Sequence, residues 1–66
     1  MKVVINGKDA DIPKGETLAG YVASRGLSPQ AVVIELNESV VPRDKWESAR
    51  LSEGDRVEIV SFVGGG

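Results

Sequence analysis

The sequence predicts an α+β domain: a five-stranded mixed sheet with one main helix packed across one face. Three observations carry this. An Asn6-Gly7 pair sits between two short strand-like runs. Helix start and stop signals bracket a single apolar-periodic stretch, from Thr17 to Gly26. The longest strand-like run, from Arg56 to Val63, comes last.

Lys2-Val3-Val4-Ile5 is rich in β-branched residues, which suit a pleated, half-buried surface. Asn-Gly is the strongest short hairpin signal, because both central positions of a type I′ turn need positive φ. The returning strand, from Lys8 to Ile12, is short and polar, as a sheet edge requires. Pro13 ends it. Thr17 can cap a helix by accepting a hydrogen bond from a free backbone N–H. Leu18, Tyr21 and Val22 then fall at i, i+3 and i+4 on one apolar face. Gly26 stands where a C′ glycine closes a helix, and Leu27 can fold back as in a Schellman motif. The helix is placed at residues 18–25. Gly20 within it costs about 1 kcal/mol against alanine, so it either packs closely or leans on the core.

Ser28-Pro29-Gln30 connects to a second β-branched run, residues 31–36. Asn37-Glu38 turns the chain into a short partner strand, Ser39-Val40-Val41, which Pro42 closes. Arg43-Asp44-Lys45-Trp46 forms one helical turn, and Leu51-Ser52-Glu53-Gly54-Asp55 is turn chemistry. A single helix of this length must cover one face of the sheet. The last strand, being the most apolar, takes a central place beside the first. The hairpin lies on one side of it, and the third and fourth strands lie beyond. That order is a β-grasp.

Composition excludes whole classes of function. Sixty-six residues make one domain with a thin core. Eight basic and ten acidic residues give a net charge of −2, without the basic excess of a nucleic-acid binder. No apolar stretch is long enough to span a membrane. The start has no signal-peptide apolar region, and residue 2 is not the glycine that myristoylation needs, so a cytoplasmic protein is expected. There is no cysteine and no histidine. Disulfides, thiolate nucleophiles, histidine bases and Cys/His metal sites are thereby removed. No paired-carboxylate arrangement suggests a catalytic centre, and no metal site or bound cofactor is expected.

What remains is the chain end. Residues 1–63 read as the folded domain and residues 64–66 as a tail that stays mobile beyond the last strand, since glycines have nothing to bury. Gly64 and Gly65 make a slim lead that could thread a narrow channel in another protein. Gly66 then presents its α-carboxylate. The bland alternative is a frayed terminus.

The strand alternation points to a second feature. Val57, Ile59, Ser61 and Val63 share one face, and Glu58, Val60 and Phe62 the other. Val3 and Ile5 point inward and Val4 outward. With the helix on one side, Val4, Val60 and Phe62 are expected to cluster on the open face as a partner-docking patch. Trp46 reads as a core plug, Arg43 as a solvated or strand-capping cation, and Glu53 and Asp55 as turn residues.

Taken in order, Ile5-Asn6-Gly7, Glu35-Leu36-Asn37, Val41-Pro42-Arg43 with Trp46, Gly54-Asp55, and Val57-Glu58-Ile59-Val60 running into Val63-Gly64-Gly65-Gly66 resemble the ubiquitin-like sulfur carriers. Within them the chain is most similar to the thiamin-biosynthesis branch, the ThiS family. The related molybdopterin-synthase small subunit also ends in Gly-Gly, but the Val-Pro-Arg-x-x-Trp segment fits the thiamin branch better.

The resemblance implies a protein co-substrate rather than an enzyme, monomeric when free. A ubiquitin-activating-type adenylyltransferase would use ATP and Mg²⁺ to adenylate Gly66. Sulfur drawn from a donor such as a cysteine desulfurase would convert it to a thiocarboxylate, and thiazole synthase would receive that sulfur. The chain's lack of cysteine agrees, since it cannot hold a persulfide of its own. The alternatives are a carrier for molybdopterin or another pathway, a ubiquitin-like modifier or interaction module, and an RNA-associated domain. The acidic balance argues against the last of these.

Overall fold

Both Asn6 and Gly7 adopt positive φ, at 50° and 82°, so the type I′ turn forms as its residues require. The structure is a computed structural model and describes residues 1–62; Val63 and the glycines at 64–66, with the expected mobile tail, lie outside the described residues. The turn joins β1 (Lys2–Ile5) to β2 (Lys8–Asp11). Ile12 does not extend β2 but still anchors it. Its N–H donates to the Met1 carbonyl at 2.9 Å, and the Met1 amino group donates to the Ile12 carbonyl at 2.8 Å.

The helix α1 (Leu18–Ser24) carries the predicted caps. The Thr17 hydroxyl accepts the Gly20 N–H at 3.0 Å. At the other end Gly26, at φ 68°, is C′. The Leu27 N–H reaches the Val22 carbonyl and the Gly26 N–H the Ala23 carbonyl, both at 3.1 Å. This is the bond pair of a Schellman motif. Arg25, expected inside the helix, is its C-cap. At Gly20 a Cβ would meet the end of the Glu16 side chain, whose Oε1 accepts the Thr17 N–H at 3.1 Å, so that flexible carboxylate would have to move to admit alanine. The start of the helix is tied to the chain after Trp46, with Leu18 N–H donating to Ala49 and Leu51 N–H to Glu16.

A 3₁₀ turn at Pro29–Ala31, not anticipated, leads into β3 (Val32–Leu36). Asn37 and Glu38, at φ 51° and 74°, make a second tight turn into β4 (Ser39–Val40). Another 3₁₀ turn (Arg43–Lys45) precedes β5 (Arg56–Ser61). The sheet order is β2-β1-β5-β3-β4, mixed, with β5 parallel to β1 and antiparallel to β3. Polar β2 takes an edge and apolar β5 the centre, as the sequence predicts.

The core lies between the sheet and α1. Val3, Ile34 and Val57 come from the sheet and Leu18 and Val22 from the helix, all buried. Val32, Ile12, Leu51 and Trp46 close its margins. Burying an aliphatic side chain of this kind contributes about 1.5–3 kcal/mol, so nine buried residues leave a small domain little reserve once chain ordering is offset. No described helix is long and apolar enough to cross a membrane.

Candidate functional site

The site is built around the end of β5, where the chain leaves the sheet toward Gly66. Two contacts fix that end. On one side the Phe62 N–H donates to the Ala31 carbonyl at 2.6 Å, carrying the β3 ladder to the last described residue. On the other side β1 has already ended. The Asn6 side chain takes over its role. Its amide oxygen accepts the Ile59 N–H at 2.6 Å, and its amide nitrogen donates to the Ile59 carbonyl at 3.2 Å. Asn6 therefore supplies both the turn and a side-chain continuation of the ladder.

The alternation along β5 holds. Val57 is fully buried and Ile59 partly so, whereas Val60 and Phe62 are 53% and 57% exposed. Val4, by contrast, does not join them. In the parallel register Val4 lies beside Arg56, four residues before Val60, or about 13 Å along the strand. Glu58 occupies the same face in between. The expected cluster of Val4, Val60 and Phe62 is thus corrected: Val60 has Val33 of β3 directly opposite it, 39% exposed. The apolar patch at the end of β5 is Val33, Val60 and Phe62.

Val33 escaped sequence reading because Val32-Val33-Ile34 is apolar throughout and shows no period of two. Its placement follows from the antiparallel register with β5, which puts Ile34 opposite Ile59 and Val33 opposite Val60.

The next row of the same face is acidic. Glu35 lies directly opposite Glu58, and Val40, 61% exposed, lies beyond Glu35 on β4. The helix side of β5 differs in charge. There a cleft of about 410 Å³ is lined by Ile59 and Ser61 together with Tyr21, Lys8 and Arg25. The root of the tail thus has an apolar and acidic side and a basic side.

The remaining residues singled out in the sequence serve the fold. Trp46 is buried and its indole Nε1–H donates to the Val41 carbonyl at 2.9 Å. The Arg43 guanidinium is exposed and donates to the Pro29 carbonyl at 3.4 Å. Asp55 accepts the Ser52 N–H at 2.7 Å and the Asn37 amide at 3.1 Å. Glu53 accepts the Lys2 N–H at 3.0 Å.

Comparison with known proteins places this geometry. The sequence model of the ThiS family matches residues 3–66, nearly the whole chain. The chain belongs to the ThiS family. Within reach of that family, the sulfur carrier protein ThiS of Bacillus subtilis is 35% identical over 63 residues, covering 94% of this chain and 96% of that one. A thiazole synthase of Magnetococcus marinus is 38% identical over 66 residues; all of this chain is covered, but only 20% of the synthase. A thiazole synthase of Paramagnetospirillum magneticum is matched in the same way, at 33% identity. The chain therefore spans a fifth of the length of these two relatives. The crystal structure of the thiamine biosynthesis protein ThiS from Geobacter metallireducens superposes with a TM-score of 0.85 at 26% identity, covering all of both chains. The fold is thereby that of the family's β-grasp.

Proposed function

We infer that this protein is a sulfur carrier for formation of the thiazole moiety of thiamin, working in the cytoplasm as a co-substrate. The observation that carries the reading is the family match over residues 3–66, which includes the closing glycines, together with a sulfur-carrier relative of nearly equal length. In this reading residues 1–63 are the addressable body. Gly64 and Gly65 thread the partner's channel and Gly66 is the reacting residue.

The chemistry assigns the steps to partners. A carboxylate is a poor electrophile, so an adenylyltransferase of the ubiquitin-activating type, holding ATP and Mg²⁺, converts the Gly66 carboxylate to an acyl-adenylate and releases pyrophosphate. The terminal sulfur of a persulfide, loaded by a cysteine desulfurase, then attacks the acyl carbon. A C–S bond forms and the C–O bond to AMP breaks. A thiol cleaves the remaining S–S bond and leaves the thiocarboxylate. That sulfur is delivered to thiazole synthase, the activity named in two relatives that include a homologue of this whole chain. On this domain the task is recognition: Val33, Val60 and Phe62 form the docking face beside the tail, and Val4, beside Arg56, lies outside it.

The test is intact mass of the protein recovered from cells making thiamin. A fraction with one oxygen replaced by sulfur, located to Gly66 by fragmentation, supports the carrier reading. Protein that carries only the free carboxylate, with the cognate activating enzyme and sulfur donor present, overturns it.

A further inference from the structure

Only two cross-strand pairs among the described residues have both members charged. Lys2 opposite Asp11 joins opposite signs, as sheets favour; Glu35 opposite Glu58 joins like signs. Carboxylates directly opposite on one face stand about 5 Å apart at Cβ and destabilise the sheet. Glu58 is exposed and Glu35 half-buried. On that face Glu35 has Val40 on its other side, and the row toward the chain end is Val33 and Val60. The cation nearest in register is Arg56, one row further from the tail, beside Val4, which in turn faces Asp9. A small domain with little stability in reserve thus keeps a like-charge pair in register, and keeps it against its exposed apolar patch.

We propose that Glu35 and Glu58 are the charge-reading element of this docking face, and that its occupant is thiazole synthase, which sets an arginine or lysine across the pair while covering Val33, Val60 and Phe62. The inference rests on the carrier reading. The position of the chain end argues for a partner there. Gly66 is four residues beyond Phe62, at most about 14 Å of extended chain, so a protein holding Gly66 in its reaction site also meets this face. The choice of thiazole synthase follows from the two relatives in which a homologue of the whole chain lies within a thiazole synthase polypeptide. Tethering of that kind keeps the two surfaces at high effective concentration. An apolar centre beside a charged rim is the ordinary anatomy of a specific interface, and the rim sets partner choice and encounter rate.

The experiment compares the parent with a double variant, Glu35→Gln with Glu58→Gln, and with Glu58→Lys. Affinity for the purified cognate thiazole synthase is measured at low and high ionic strength, beside a thermal melt and adenylation by the activating enzyme. The double variant is expected to melt at or above the parent, since a repulsion is gone. It should be adenylated at the parent's rate and bind the synthase about tenfold more weakly at low salt. Raising the salt should bring the parent down toward the variant, and Glu58→Lys should bind more weakly still. Unchanged affinity and salt dependence in the double variant would overturn the proposal. So would a fall in affinity that tracks a fall in melting temperature, because the pair would then be structural. A parent that is adenylated but does not bind the synthase removes the proposed occupant and leaves the carrier reading standing. A parent that the activating enzyme does not adenylate removes the carrier reading, and this inference with it. Slower adenylation of the double variant with normal synthase binding would give the pair to the activating enzyme, again overturning the proposal.

Discussion

The Asn6 side chain closes the ladder of Ile59, accepting its N–H at 2.6 Å and donating to its carbonyl at 3.2 Å. One residue thereby links the first turn of the chain to the last strand, 53 positions later. Its backbone, at φ 50°, sits in the left-handed region that asparagine tolerates better than most residues. Asn6→Ala should lose both contributions and cost about 2–3 kcal/mol, whereas Asn6→Gly should keep the turn and cost about 1 kcal/mol. Urea denaturation of the two variants checks the order. Equal losses would mean that the positive φ at this position adds no cost for alanine and that the lost amide bonds to Ile59 account for the whole effect.

Glu38 presents the opposite case. It holds φ at 74° with no side-chain bond among the described residues to compensate. Glu38→Gly removes a steric cost of about 1–2 kcal/mol and adds backbone freedom to the unfolded chain worth up to about 1 kcal/mol. A net gain of about 0.5–1 kcal/mol is expected, read as a raised denaturation midpoint. A lowered midpoint would contradict the account of this turn.

Trp46 is buried with its indole N–H on the Val41 carbonyl. Trp46→Phe keeps an aromatic body but leaves that carbonyl without its donor and a gap beside it, so a loss of about 2–3 kcal/mol is expected by denaturant melt. A change below 0.5 kcal/mol, in line with about the scatter of surface substitutions, would show that Trp46 is not a core plug.

Much of this fold is legible in the sequence because its turns and caps use residues with one physical reading. Asn6-Gly7 can hardly do anything but turn a hairpin, and Thr17 and Gly26 bound the helix to within one residue. The apolar residues Val57, Ile59, Val60 and Phe62 of the last run call for a central strand, and β5 is central. The face of each valine was less legible. In Val32-Val33-Ile34 nothing alternates, so only the register with β5 separates exposed Val33 from its buried neighbours. The stagger of the parallel β1–β5 pair likewise has no local code. It is set by contacts 52 positions apart, and it moves Val4 away from Val60. The opposition of Glu35 and Glu58 is a consequence of the antiparallel β3–β5 register.

Phe62 is more than half exposed, so its role separates cleanly from stability. Phe62→Ala should leave the melt unchanged to within about 0.5 kcal/mol while weakening partner binding by about 2 kcal/mol, as truncation of an aromatic interface anchor does. Binding to the activating enzyme and to thiazole synthase, each by calorimetry, checks this. Parent-like affinity for both would remove Phe62 from the docking face.

The central claim is that Gly66 is the acyl position and that the slim glycine lead delivers it. ATP–pyrophosphate exchange with the cognate activating enzyme tests this most directly, on the parent, on a chain lacking Gly66 and on Gly65→Val. The shortened chain still ends in glycine but falls about 3.5 Å short of the nucleotide. Gly65→Val places a β-branched side chain in a channel made for glycine. Reaction at a carboxylate is sensitive to ångström displacements, so both variants should lose exchange by about a hundredfold or more while their melts match the parent. Exchange at the parent's rate in both variants would contradict the account, whatever family the chain belongs to.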